Sequence, residues 1–245
     1  MELLMRNFSI NYHDCRIIFL DLEFYVPESS RRTKGLSYNP WDPDCKLLGG
    51  SFFVANPTKD FENSLDIDSD QIQSFWLWNY DSEKALLIDI FNLLKQVSQD
   101  AKAGNDGRVS ATLCGIGIIS SDIPVIFDLL KRYELLSNAE AFYFQTEFRV
   151  IDVSNLAIPT FNHSSMFAYP KTKKDLLLKY ISGKKFESGT AVWNLYEKEQ
   201  YNEIEYRTND EISCTHKIYS ETLNNYKLFK RLEKEDKRNK YKENN

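Results

Sequence analysis

RIIFLDLEFY, residues 16–25, decides how the rest of this 245-residue chain is read. Residues 16–22 form a near-continuous apolar run, as a strand buried on both faces does. Asp21 and Glu23 end the run, and standing two apart they project from one side of the strand. Burying two carboxylates near each other is costly without a counter-cation. The same D-x-E pair also arises where a strand simply emerges into solvent, so it decides nothing alone.

Working outward, residues 26–44 are rich in Pro, Ser, Arg and Asn and read as a long loop. Residues 45–55 return to strand character, and a hairpin with the first strand is the economical pairing. From Asp81 the period changes: Leu86, Leu87, Ile90, Phe91, Leu94 and Val97 recur at three- and four-residue steps. That spacing predicts an amphipathic helix capped by Asp81 or Ser82. Residues 109–119 are strand-like, 122–136 have helical spacing through Ile126, Leu129, Leu130 and Tyr133, and 148–153 form another short apolar strand. Residues 171–229 are mostly helical, with breaks at Gly183 and Gly189. A hairpin followed by alternating helix and strand indicates an α/β fold with a mixed sheet. One domain over residues 1–229 is expected, followed by a charged tail at 230–245.

Composition excludes several classes. With 42% hydrophobic and 27% charged residues the chain is not disordered except at its ends. No stretch approaches the roughly 18 consecutive apolar residues of a membrane helix. The start, MELLMRNFSINYHD, meets polar residues too soon for a secretory signal. Cys15, Cys45, Cys114 and Cys214 are scattered without a CxxC pair, so a reduced, cytoplasmic setting is expected. A net charge of −5 argues against a general polyanion binder, although an acidic pocket flanked by basic patches would give the same total. Such patches exist: six lysines between Lys171 and Lys185 face one acid, and eight bases from Lys227 onward face four acids.

Several acids placed beside apolar structure suit one chemistry in particular. Hydrolysis of a phosphodiester requires its charge to be neutralised and a hydroxide to form near neutral pH. Two Mg²⁺ or Mn²⁺ ions about 3.5–4 Å apart do both, and such hard ions take carboxylate oxygens held on rigid elements. Asp122 is a third acid of this kind, opening a helix directly after TLCGIGIISS, although Asp is also favoured there as a cap. Tyr206 and Asp210 stand four apart in EIEYRTNDEISCTHKIY, which on a helix shares one face. The acid there can bind metal while the phenol orients the attacking water. An ordinary solvent-facing helix gives the same spacing.

Taken in order, FLDLE, GIGIISSDIPVIFDLL and the stretch from ISGKKFESGTAVW to THKIY resemble the three motifs of the DEDD superfamily of 3′–5′ exonucleases, with a tyrosine-type third motif. The likeness spans roughly residues 15–225, and the proofreading exonuclease domain of family-B DNA polymerases is the most similar in character. It implies a ribonuclease H-like fold with a mixed five-stranded sheet flanked by helices. It also implies a two-ion mechanism releasing nucleoside monophosphates from single-stranded DNA or RNA. By motif, Asp21, Glu23, Asp122 and Asp210 would hold the metals and Tyr206 would assist. The chain departs from the pattern at Ile119–Ser121, where an Asn or aromatic is usual, and at Arg207, where a Cys often follows the Tyr. A protein of the same fold that binds nucleic acid without turnover is the alternative.

A 3′-terminal nucleotide held at such metals must be unpaired, and aromatic stacking usually holds it so. Phe24 and Tyr25 are candidates, one of them more naturally a core residue since strand side chains alternate. Arg31, Arg32 and Lys34 in the long loop, and Lys184 and Lys185 with Lys171, Lys173 and Lys174, are candidates for upstream phosphates. Trp76, Trp78 and Tyr80 read as core or interface, and His13 and His163 as structural.

Overall fold

In a computed structural model, which describes residues 10–31, 37–57, 67–104, 106–162, 164, 166–184 and 189–243, the apolar run becomes strand β1 (Ile17–Tyr25). It is followed by β2 (Lys46–Ala55), β3 (Gln73–Trp76), α1 (Glu83–Ala103), β4 (Ala111–Gly115), α2 (Asp122–Arg132), α3 (Asn138–Thr146) and β5 (Phe148–Asp152). Helices α4 (Val153–Leu156), α5 (Lys173–Tyr180), α6 (Ala191–Glu197) and α7 (Tyr201–Glu243) complete the chain. The five strands make one mixed sheet in the order β3-β2-β1-β4-β5. β2 runs antiparallel to β1 and β3, whereas β1, β4 and β5 are parallel.

Burial on both faces of β1 follows from its run of apolar residues. Ile18, Leu20 and Leu22 point to the side covered by α1 and α2, packing with Leu86, Ile90, Leu94, Ile126 and Leu130. Ile17 and Phe19 point to the other side, where Leu176 of α5 and Ile212, Ile218 and Tyr219 of α7 cover them. Helix α1 starts at Ser82, whose hydroxyl accepts the Ala85 N–H at 3.2 Å. The strand-like stretch at 109–119 yields only five strand residues, because after Gly115 the chain turns to deliver α2. Helix α3 and the short strand β3 have no clear periodicity in sequence. Residues 230–243 continue α7 as helix. Among the described residues no helix is long and apolar enough to cross a membrane.

One irregularity shapes the functional end of β1. The β1–β2 register steps from Glu23 opposite Gly49 to Phe24 opposite Leu47, a bulge that leaves Leu48 unmatched. Gly49 adopts φ +130°, and a Cβ there would lie 2.0 Å from the Phe75 carbonyl oxygen. Gly49→Ala should therefore cost at least about 2 kcal/mol in urea unfolding, combining backbone strain with a backbone clash. Gly107→Ala, also at positive φ but with open space around it, should cost about 1 kcal/mol. Equal losses at the two positions would contradict the tight strand approach.

Candidate metal centre

The strand's alternation carries Asp21 and Glu23 to the same face as Phe19, the face that α7 covers. Helix α7 presents a buried seam of Ile204, Thr208, Glu211, Thr215, Ile218 and Thr222, at steps of four and three residues. The seam runs back along β1. His216 and Tyr219 meet the Phe19 ring at centroid distances of 5.2 and 5.5 Å, and the Thr208 hydroxyl donates to Glu23 Oε1 at 3.4 Å. Asn209 secures the alignment, its Oδ1 accepting from the Ser51 and Ser74 hydroxyls at 2.6 and 3.0 Å. Ser51 lies opposite Asp21 in the β1–β2 register.

Asp122 arrives from the other side. Pairing of β1 with β4 ends at Phe19 and Cys114, so the two parallel strands part at their carboxyl ends. Open α/β sheets bind ligands in crevices of this sort. Buried Asp152, at the end of β5, grips the intervening turn by accepting the Gly117 N–H at 2.9 Å and the Ile119 N–H at 3.3 Å. Asp122 is then the first residue of α2 and is itself buried. Its Oδ1 accepts the Leu22 N–H at 2.9 Å, and its Oδ2 accepts the Ser121 hydroxyl. The N–H between Asp21 and Glu23 is thereby tied to Asp122.

Four carboxylates thus converge: Asp21, Glu23, Asp122 and Glu211. Ligand oxygens of Asp21, Glu23 and Glu211 all lie within 4.8 Å of one another. Burial, then the Asp21 charge, pushes the Glu23 carboxyl up to about 8. The same two causes push Asp122 up to about 7, although its hydrogen bonds from Ser121 and Leu22 pull the other way. Two cations answer the cluster. Arg207 Nε donates to Glu211 Oε1 at 3.0 Å, while Lys173 Nζ contacts Glu211 Oε2 and lies 3.8 Å from Asp21 Oδ2. That Asp21 oxygen is fully enclosed and accepts no hydrogen bond. An all-carboxylate donor set, one enclosed oxygen of which accepts no hydrogen bond, fits a hard divalent ion such as Mg²⁺ or Mn²⁺.

The cluster forms one wall of a cleft of about 810 Å³, within the roughly 300–1,000 Å³ range of small-ligand pockets. Phe24 lines it, stacked on Tyr38 at 4.4 Å, and Trp193, Leu177 and Lys174 line it further out. Tyr25 is turned instead onto Tyr196, and its hydroxyl donates to Glu197 at 3.2 Å. Arg31 is pinned to the same Glu197 at 2.6 Å and lies over the Trp193 ring, outside the cleft lining. Lys184 reaches the cleft rim; Arg32, Lys34 and Lys185 lie outside the described residues. Trp76 is buried, and its indole stacks on Trp78 and through it on Tyr201, a packing role.

The third motif is where geometry and sequence expectation part. Tyr206 is 71% exposed, and neither it nor Asp210 lines the cleft. Each helical residue turns the side chain by about 100°, so the seam that faces β1 passes through 208 and 211 and misses 206 and 210. Glu211 is 1% exposed and takes the place expected of Asp210, which pairs with Lys184. Glu211 had a legible signal, as the one acid falling on the four-and-three repeat of Ile204, Thr208, Thr215 and Ile218. Lys173 and Arg207 had none beyond their charge.

No protein-family model matches the chain, and a search of curated proteins finds no match.

The raised Glu23 carboxyl has a thermodynamic signature in metal-free protein. Between its ordinary value of 4.5 and about 8 the folded chain holds a proton that the unfolded chain has lost. Stability contributed by this group therefore falls as pH rises through that window. Urea unfolding in EDTA should show Glu23→Gln gaining on the wild type steadily from pH 5 to 8. A constant or shrinking difference would contradict the buried cluster.

Proposed function

We propose that the chain is a divalent-metal-dependent nuclease of the DEDD type, removing nucleotides from the 3′ end of single-stranded nucleic acid. The observation that carries this reading is the convergence of Asp21, Glu23, Asp122 and Glu211, from three elements distant in sequence, at the parted carboxyl ends of β1 and β4. The strand order, with β2 alone running against its neighbours, is compatible with the ribonuclease H-like fold that the motif resemblance implies.

Asp21, Glu23 and Glu211 would hold the metal, and Asp122 would fix the β1 backbone between the two strand acids. When bound, Mg²⁺ or Mn²⁺ supplies neutralisation of the phosphodiester charge and acidification of the attacking water. Phe24 and Tyr38 offer a stacking surface for the terminal base beside the acids. Lys174 and Lys184 at the rim suit the backbone phosphates, and Asp210 holds Lys184 in position for that task. Tyr206, exposed on the far side of the seam, is given no part in the chemistry.

One observation favours a second reading, a nucleic-acid-binding protein without turnover: the Lys173 ammonium already sits on Glu211. Incubation of 3′-labelled single-stranded DNA and RNA with Mn²⁺ separates the two. The nuclease reading predicts stepwise loss of label from linear strands and an intact circular strand. An uncleaved linear strand that is nevertheless bound supports the second reading, and a nicked circle indicates an endonuclease.

Substitutions should sort by the seam. Asp21→Ala and Asp122→Ala should lower kcat by at least about a thousandfold, and Glu211→Gln by at least about a hundredfold. Asp210→Asn should raise KM by a few-fold while sparing kcat, and Tyr206→Phe should behave as wild type. Loss of kcat in Asp210→Asn with activity retained in Glu211→Gln would reverse the assignment.

A further inference from the structure

Exposed apolar side chains scattered singly are ordinary on a protein surface, whereas adjoining ones mark interaction surfaces. Among the described residues the two most exposed large apolar side chains are neighbours, Met166 and Phe167, in the segment that leads into α5. Phe167 is 74% and Tyr169 65% exposed, and their ring centroids lie 6.0 Å apart.

This aromatic pair is tethered beside the cleft. Pro170 fixes its own φ and biases Tyr169 towards extended backbone. The next N–H, that of Lys171, donates to the Ser154 carbonyl at 2.9 Å. The Ser154 N–H donates in turn to Asp152, the residue that grips the turn before Asp122. Lys171 also lies over the Phe161 ring, 4.9 Å from its centroid. Four residues after Tyr169 comes Lys173, which lines the cleft, so the two Cα atoms are at most about 14 Å apart.

The charges nearby say what such a pair would take. From Lys171 to Lys184 five lysines accompany one acid, Asp175, and that acid accepts the Thr172 N–H and hydroxyl. Lys174 and Lys184 line the cleft. Aromatic faces beside ammonium groups match the bases and phosphates of an unpaired strand. The other exposed ring pair, Phe142 and Tyr143, stands on α3, whose single charged residue is Glu140.

We propose that Phe167 and Tyr169 form a stacking platform for unpaired bases upstream of the nucleotide held at the acids, so that the cleft selects strands with a single-stranded 3′ tail. The inference rests on the nuclease reading above and deepens it by naming what the substrate must present. A blunt duplex end, whose bases already stack on one another, gains nothing from the platform.

Fluorescence anisotropy of the full chain in CaCl₂ tests this without any need for turnover. On a labelled single strand of about 12 nucleotides, Phe167→Ala and Tyr169→Ala should each weaken binding at least about fivefold, while Phe167→Trp, which keeps an aromatic face, should stay within about twofold of wild type. The slope of log K against log salt should be unchanged in Phe167→Ala and shallower by about 0.7 in Lys174→Ala, which separates stacking from a phosphate contact. An equal loss on a blunt duplex, or wild-type affinity in both alanine variants, would overturn the platform while leaving the nuclease reading standing. In the latter case, a wild-type dimer that Phe167→Ala dissolves would give the face to a second copy of the chain. Failure of the wild type to bind any single strand would overturn the nuclease reading itself.

Discussion

Packing of α7 along one face of β1 is the constraint from which the candidate site follows. A strand advances about 6.6 Å in two residues and a helix about 6 Å in four, so the two can run side by side in step. Here Phe19 faces His216 and Tyr219, and Glu23 faces Thr208. Asp21, midway between, can only meet the helix near Glu211, and Lys173 indeed contacts both acids. The Asn209 contacts with Ser51 and Ser74 prevent the helix from slipping by a residue.

Such an arrangement places carboxylates where water cannot solvate them, which a fold tolerates only with compensation. Three kinds are visible. Asp122 is satisfied by hydrogen bonds from Leu22 and Ser121, Glu211 by two cationic side chains, and Glu23 by a raised proton affinity. Asp21 alone keeps an enclosed oxygen without a hydrogen bond. Groups that are structurally expensive and locally incomplete are where ligand binding is expected to contribute stability.

Much of this was legible in the sequence. The apolar run at 16–22, the hairpin partner at 45–55 and the helix from Leu86 to Val97 indicate a mixed α/β sheet, the first two as short apolar runs bounded by turn residues and the third by its three- and four-residue spacing. β3 and α3 were missed: the first is four residues long, and the second has its apolar residues spread around the helix. Within the site, the two strand acids and Asp122 come together, since alternation and the start of a helix are local facts. On α7 the acid brought beside the strand pair is Glu211 and not the expected Asp210, because the spacing of Tyr206 and Asp210 describes a shared face without saying which face is buried. That decision belongs to the seam through Ile204, Thr208 and Ile218 and could be read only against β1. Lys173 depends on where α5 lands, which no local pattern encodes.

Anomalous diffraction from a crystal soaked in Mn²⁺ would test the central claim most directly. A manganese peak is expected within ligand distance of the Asp21, Glu23 and Glu211 carboxylates. A peak at Asp210 with none at Glu211, or no peak in the cleft at all, would contradict it.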